Sequence, residues 1–584
     1  LLVESENESH YKVDRVYNIL NEAGKDHLLF NEYSSRRISL QNPEVKVFDA
    51  FGNVKARYRK KDMQTVATGE GLIEDGTVTY FNVPAPSYPV TVEFSYEIDF
   101  HGTLVFPAYR FYESGVAIEK SSFTAKIARP LELRYKEYKI KLPPAVSEEG
   151  KYKVYRWTVE QLPPLAYEEG AASYSNRYPC VLLAPHHFSW YNREGDMSSW
   201  SNYGKWIAQL YEGQDELPED KIAYFKDLVK DKTTVRDKAA VLYQYLQDHF
   251  RYVSIQLGIG GLRPFSASFT DEKKYGDCKA LSNYMKAALK AVGINSYVAI
   301  INSQYNSEPV DPLFPSNNAF DHVILCIPNK GDSIWLECTS NSSDFGKLGT
   351  FTENRNALLI TENGGKLVPT PQSNAKDHLL VIKNTLQLAE DASGTCETDF
   401  FSTGYYKEMI DYLMKLKQDD QKNFIVNGLG YKSPDEFKME MQESDNAQHV
   451  LLHMQFEKVP QFSVGSKMFL STRPYELTGT RLPTYKPRKF DYYFHNPYVR
   501  IDTTVYKLPA GFKPDVLPKP KRISCPYADY QSKIWFDEGK AAVICAARLE
   551  LKQHHIPASQ YDTVKQFFDQ VLLEDEQRIV IQKE

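Results

Sequence analysis

A cysteine, a histidine and a carboxylate, met in that order along the chain, are residue types that together carry acyl transfer. Cys278 lies in Tyr275-Gly276-Asp277-Cys278-Lys279-Ala280-Leu281-Ser282, and His322 and Glu337 follow on two short apolar runs. In such a set the thiolate attacks a carbonyl carbon and the imidazole takes and returns a proton. The carboxylate fixes the imidazole tautomer and stabilises its charged form. After Cys278, the residues Leu281, Met285, Ala288, Leu289 and Val292 recur at helical spacing up to Gly293. This predicts a helix with Gly276-Asp277 as turn and N-cap and Cys278 in the first turn. Free N–H groups at a helix N-terminus favour a thiolate, so a lowered thiol pKa is expected, with the Asp277 carboxylate spent on capping.

The partners need a scaffold that brings them together. Asp321-His322-Val323-Ile324-Leu325-Cys326-Ile327 and Ile334-Trp335-Leu336-Glu337-Cys338 flank the turn-rich Pro328-Asn329-Lys330-Gly331-Asp332-Ser333, a β-hairpin pattern. In a register that sets His322 opposite or diagonal to Glu337 the two share a face, whereas a slip of one residue separates them. Without that convergence, Cys278 is a small buried hydrophobe and His322 a hydrogen-bonded strand residue. Gln256, one short loop upstream, could donate its side-chain amide to a developing oxyanion together with the Cys278 backbone N–H. The alternative for Gln256 is a solvent-facing strand position. Gly258, Gly260 and Gly261 lack the strand and helix context of a phosphate loop and read as a tight turn.

The run Phe250-Arg251-Tyr252-Val253-Ser254-Ile255-Gln256-Leu257-Gly258-Ile259-Gly260-Gly261-Leu262-Arg263-Pro264, then Tyr275-Gly276-Asp277-Cys278-Lys279, then Asp321-His322, then Trp335-Leu336-Glu337-Cys338-Thr339 resembles the bacterial transglutaminase-like superfamily. The resemblance implies a papain-like fold, with Cys278 as nucleophile, His322 as general base and acid, and Glu337 as third member. It also implies export in Gram-negative bacteria, to the periplasm or the outer surface. The chain departs from the pattern at Glu337, where the family usually has Asp, and at Ala280, where it usually has an acidic residue. Glutamate adds a methylene, so strand or rotamer must compensate; a misplacement of about 1 Å costs about a hundredfold in rate.

At 584 residues with a formal charge of -6 and 42% hydrophobic residues, the chain should hold three or four domains with substantial cores. Nothing in it favours nucleic acid. Lys486-Pro487-Arg488-Lys489 and Lys519-Pro520-Lys521-Arg522 are isolated, Pro-punctuated basic spots expected in solvated loops. No apolar run approaches the roughly 18 residues of a membrane span. The chain begins with Leu1 rather than Met, compatible with removal of a leader or tag. Seven cysteines without a C-x-x-C pair argue against a disulfide scaffold or a structural metal. Cys525 and Cys545 lie in neighbouring β-prone segments and either pair, in an oxidising compartment, or stay as free buried thiols. The adjacent pairs His186-His187 and His554-His555 suit a shared metal poorly, because neighbouring strand side chains diverge.

The expected fold class is α+β and multidomain. Residues 1–165 alternate β-prone runs, such as Thr77-Val78-Thr79-Tyr80-Phe81 and Val90-Thr91-Val92-Glu93-Phe94-Ser95-Tyr96-Glu97-Ile98, with turns, the pattern of an N-terminal β-sandwich. This part also resembles a domain of unknown function that commonly precedes transglutaminase-like modules. Residues 166–370 hold the candidate papain-like catalytic core. They include a helix capped by Thr234 and Asp237 that carries Val235, Ala239, Leu242, Leu246 and Phe250 on one face. Trp190, Tyr191, Trp200, Tyr203 and Trp206 fall in a segment without clean periodicity, either part of a substrate cleft or, the stronger expectation, a linker packed on that core. Residues 371–584 read as a β-rich C-terminal domain with helices around Glu408–Leu416 and Asp562–Phe568 and a final strand at Arg578–Lys583.

The expected protein is an exported cysteine protease or amidase acting on a peptide or protein, including a cell-envelope or glycan-linked peptide, through a Cys278 acyl-enzyme. No cofactor is required. Water as second nucleophile gives hydrolysis and an amine gives transamidation, with the same triad for both. The alternative is an inactive transglutaminase-like scaffold serving as a cell-envelope binding or assembly protein, since fold does not fix function.

Overall fold

Alternating apolar residues build the first part of the chain: Val90, Val92, Phe94, Tyr96 and Ile98 bury one face of the strand Val90–Phe100. An eight-stranded, mostly antiparallel sheet runs in the spatial order Ala145–Glu149, Tyr152–Leu162, Ile118–Ala128, Leu2–Ser5, Glu8–Ile19, Val90–Phe100, Ile38–Phe48, Val54–Arg59. A three-stranded sheet of Leu29–Ser34, Thr77–Asn82 and Gln64–Ala67 sends Phe30 edge-on against Phe94 and Tyr96 of the larger sheet. The computed structural model describes residues 1–584 apart from 69–72, 85–86, 330–331, 430–432, 445–446, 460–461 and 479–480.

The central part packs helices on a five-stranded antiparallel sheet. Its helices include α1 (Trp200–Tyr211), α2 (Val235–His249) and α3 (Cys278–Ala291). The strands are β1 (Tyr297–Ile301), β2 (His322–Ile327), β3 (Ile334–Leu336), β4 (Asn356–Thr361) and β5 (Gly364–Pro369), in the order β3-β2-β1-β4-β5. Val323, Leu325 and Ile327 of β2 join Leu281, Met285, Ala288 and Leu289 of α3 in one core. Ile324 and Cys326 face a second core on the other side of the sheet with Trp335 and Leu348.

The segment around Trp200, expected as an aperiodic linker, is instead a hairpin (His187–Trp190 with Arg193–Asp196) followed by α1. Trp200, Tyr203, Trp206, Ile207, Leu210 and Tyr211 are all buried. Aromatic, Ser, Asn and Gly residues are weak helix formers, so tertiary packing supplies the helix. The contact is close: a Cβ on Gly204 would lie 2.1 Å from the Gly365 backbone nitrogen. In α2, Ala239, Leu242, Tyr243, Tyr245 and Leu246 are buried, whereas Val235, expected on that face, is 40% exposed because it opens the helix at the surface.

Beyond β5 a second eight-stranded sheet runs Glu436–Ser444, Ala447–Phe456, Gly394–Ser402, Leu379–Leu388, Tyr498–Lys507, Ala542–Leu551, Ala528–Asp537, Lys521–Cys525. Helices Tyr405–Met414 and Tyr561–Asp575 pack in this part, and the last strand, Arg578–Lys583, joins a separate four-stranded sheet. The chain is thus multidomain and strand-rich, with nine α-helices among the described residues.

One expectation is corrected here, and of the two alternatives left open for Cys525 and Cys545 the free thiols are found. Arg488 is buried rather than solvated, because Tyr561 offers its ring at 4.4 Å and the Glu169 and Phe490 carbonyls each accept an N–H at 2.7 Å. The Cys525–Cys545 bridge is not formed, and all seven cysteines are free. Register separates the two residues: Cys525 lies opposite Ala528, while Cys545 lies opposite Ile534 and Thr504.

Candidate active site

Cys278 is the first residue of α3, and Asp277 is its N-cap, with extended backbone and a carboxylate oxygen accepting the Ala280 N–H at 3.0 Å. The other Asp277 oxygen takes the Lys279 ammonium at 2.6 Å, and both side chains are almost fully buried. The acid beside the sulfur is therefore engaged twice. Ala280, where the family pattern has an acid, is fully buried. A Cβ on Gly276 would come 2.7 Å from the Ala280 methyl, so both positions are held small. Helix α3 is pinned by Asn283, which donates to the Gln214 carbonyl at 2.7 Å, and by Tyr284, which donates to Asp271 at 2.6 Å.

The hairpin of β2 and β3 pairs Leu325 with Leu336 and Cys326 with Trp335; its turn residues Lys330 and Gly331 lie outside the described residues. Extending this register sets Glu337 opposite Ile324 and diagonal to His322, on the same face. His322 Nε2 donates to Glu337 Oε2 at 2.9 Å. The other carboxylate oxygen accepts the Thr339 N–H at 3.1 Å and the Thr339 hydroxyl. Glu337 has no solvent exposure, and its backbone carbonyl is held by the Tyr243 hydroxyl of α2 at 2.7 Å.

The Cys278 side chain acts on the His322 ring as well, raising its affinity for a proton, and the two residues share the wall of one cavity. With Nε2 on Glu337, Nδ1 is the nitrogen left for the sulfur. Burial by itself would lower the imidazole, but Cys278 and Glu337 more than offset it and raise the ring to about 10. Burial pushes the Cys326 and Cys396 thiols up to about 11. Phe351 packs on the His322 ring with centroids 5.7 Å apart.

A cavity of about 250 Å³ opens at the sulfur, with Cys278, His322 and Gln256 in its wall alongside Tyr203, Tyr211 and Phe320. Gln256 therefore faces the candidate site rather than open solvent. It arrives there because Arg251–Tyr252 pairs in parallel with Tyr275–Gly276, holding the upstream strand beside the cysteine turn. Gly258–Gly261 is a single 3-10 turn. Tyr211, Tyr243, Phe351 and the role of Thr339 carry no signal of their own in the sequence. Thr339 directly follows the Glu337-Cys338 pair; the others reach the site from distant segments. Among the described residues no cluster of His, Cys, Asp and Glu suits a metal ion, and no helix is long and apolar enough to cross a membrane.

Two family models match parts of the chain, both domains of unknown function with solved structures: DUF3857 over residues 5–166 and DUF3858 over residues 466–581. No curated protein matches the sequence. Among solved structures, a candidate protease from Parabacteroides distasonis aligns over 100% of this chain and 97% of its own, at 10% identity and a TM-score of 0.64. A candidate cysteine protease from Cytophaga hutchinsonii aligns over 53% of this chain and 79% of its own, at 11% identity and a TM-score of 0.19. The periplasmic domain of TgpA from Pseudomonas aeruginosa aligns over 52% and 88%, at 11% identity and a TM-score of 0.17. Over its whole length, this chain shares the fold of the Parabacteroides protein.

Proposed function

We propose that the chain is an exported cysteine protease or amidase of the transglutaminase-like superfamily, acting on peptide bonds through a Cys278–His322–Glu337 triad. The observation that carries this reading is an imidazole hydrogen-bonded to a buried carboxylate and set with the Cys278 thiol in the wall of one cavity. The description of the Parabacteroides protein as a candidate protease agrees with it, and export follows from the resemblance. The proposed division is an N-terminal β-sandwich (1–165), a papain-like core (166–370) and a C-terminal β-rich domain (371–584), with one apolar core confined to the first part and one to the last.

In the proposed reaction the Cys278 sulfur bonds to the substrate carbonyl carbon while His322 stays protonated. As the C–N bond breaks, the imidazolium proton passes from Nδ1 to the leaving amine, giving a thioester. Neutral His322 then removes a proton from water attacking the thioester, the acid is released, and the sulfur regains its starting state. Glu337 keeps the Nε2 proton in place throughout.

The test is turnover of a fluorogenic peptide library by the full chain and by Cys278→Ala. The variant is expected to lose all turnover while remaining folded, as read by circular dichroism. Unchanged turnover would exclude this site, and a wild-type chain that neither turns over nor is alkylated by iodoacetamide faster than a model thiol would favour the scaffold reading.

A further inference from the structure

Tyr211 ends α1 and lines the cavity shared with Cys278. Its side chain is 6% exposed, and its hydroxyl, sealed from solvent, has no hydrogen-bond partner among the described residues. Buried hydroxyls almost always find a partner because leaving one unpaired costs stability. Here the residue that carries the unpaired group is part of the wall of a cavity that also holds the nucleophile. Its position is fixed relative to α3: the Gln214 N–H donates to the Tyr211 carbonyl at 3.0 Å, and the Gln214 carbonyl accepts from Asn283 of α3 at 2.7 Å. Burial, then the negative charges at Cys278 and Asp277, push the phenol well above its ordinary value, so it remains a hydrogen-bond donor at any physiological pH.

We propose that the Tyr211 hydroxyl donates a hydrogen bond to the oxyanion formed when Cys278 adds to an acyl carbonyl, acting with the Cys278 backbone N–H and Gln256. This rests on the acyl-transfer reading above and adds a residue that contacts the reacting atoms. Such a donor contributes most when charge has moved onto oxygen, so it raises the rate of addition more than the affinity for substrate. It has no role in a reaction at sulfur that creates no oxyanion.

The experiment uses the full chain and Tyr211→Phe with two probes. With p-nitrophenyl acetate, the sulfur bonds to the carbonyl carbon, the oxyanion forms, and its collapse expels p-nitrophenolate to leave S-acetyl-Cys278, read by intact mass and by absorbance. With iodoacetamide, the sulfur displaces iodide from a saturated carbon and no oxyanion forms. Tyr211→Phe is expected to slow acetylation of Cys278 by about a hundredfold with alkylation unchanged to within about twofold, and to melt no lower than wild type because it removes an unpaired hydroxyl. Equal acetylation rates overturn the inference alone. So does an equal slowing of both reactions, which would mark an effect on the sulfur, or a lower melting temperature, which would mark a structural partner. A wild-type chain alkylated but never acetylated at Cys278 overturns the inference and the acyl-transfer reading together.

Discussion

Replacing Glu337 with glutamine preserves shape and removes the charge that meets His322 Nε2 at 2.9 Å. Because Thr339 donates both its N–H and its hydroxyl to the other carboxylate oxygen, the new amide keeps its oxygen there and turns its NH2 toward His322. That forces Nε2 to accept, moves the ring proton to Nδ1, and leaves the neutral imidazole unable to take a proton from the sulfur. The equivalent carboxylate-to-amide change in a serine triad costs about 10⁴ in kcat, and a loss of about 10³ to 10⁴ is expected here. Raising the imidazole from 6.5 to about 10 corresponds to about 5 kcal/mol favouring the charged ring. Loss of the Glu337 charge removes part of what holds the ring up against burial, so the variant's ring titrates lower than the wild-type ring. The folded-state value lies above that of the unfolded chain, so the stabilisation is complete below about pH 6.5 and is lost as pH climbs toward 10. Wild-type melting temperature should therefore fall across that window, and the Glu337→Gln curve should be flatter. Nitrogen-detected NMR of His322, with kcat/KM and melting curves against pH, measures each part. A variant with wild-type kcat/KM and an unmoved imidazole titration would refute the assigned geometry.

Asp277→Ala removes an N-cap worth about 1 kcal/mol and strands the buried Lys279 ammonium, for a combined loss of about 3–5 kcal/mol. Urea denaturation should show it, with much of the loss recovered in Asp277→Ala/Lys279→Met; a loss no larger than the cap alone would count against a buried ion pair. Gly204→Ala puts a methyl 2.1 Å from backbone nitrogen that cannot yield, so α1 must lift off β4 and β5 at a cost of about 3 kcal/mol or more. Because α1 also carries Tyr203, Ile207 and Tyr211 into the cavity wall, turnover should fall at temperatures where the variant is still folded. Calorimetry paired with kinetics separates the two effects.

What was legible in the sequence was whatever a short window encodes. A capping aspartate, a helical apolar stripe and a Gly stop suffice for α3, and two apolar runs about a turn suffice for the β2–β3 hairpin. Helix α1 was not legible, since its aromatic and small residues become helical only where Gly204 meets the Gly365 backbone. Arg488 was misjudged for a similar reason: the rings that receive its cation come from Tyr485, Tyr492 and Tyr561, and its carbonyl partners include Glu169, more than three hundred positions away. Tyr243 and Phe351 likewise reach the histidine and glutamate from separate elements.

Glu337, where the superfamily that the sequence resembles usually has aspartate, shows how the two levels meet. Sequence alone made Glu337 a liability, because one extra methylene can displace the carboxylate by about the 1 Å that matters for rate. The register answers this geometrically. Glu337 falls just past the end of β3 and diagonal to His322, and diagonal neighbours stand about 7–8 Å apart against about 5 Å for directly opposed ones. The longer side chain spans that offset, reaching Nε2 at 2.9 Å while its second oxygen stays fixed by Thr339. Two anchors on one carboxylate leave it little rotational freedom, so the methylene that adds reach does not add play.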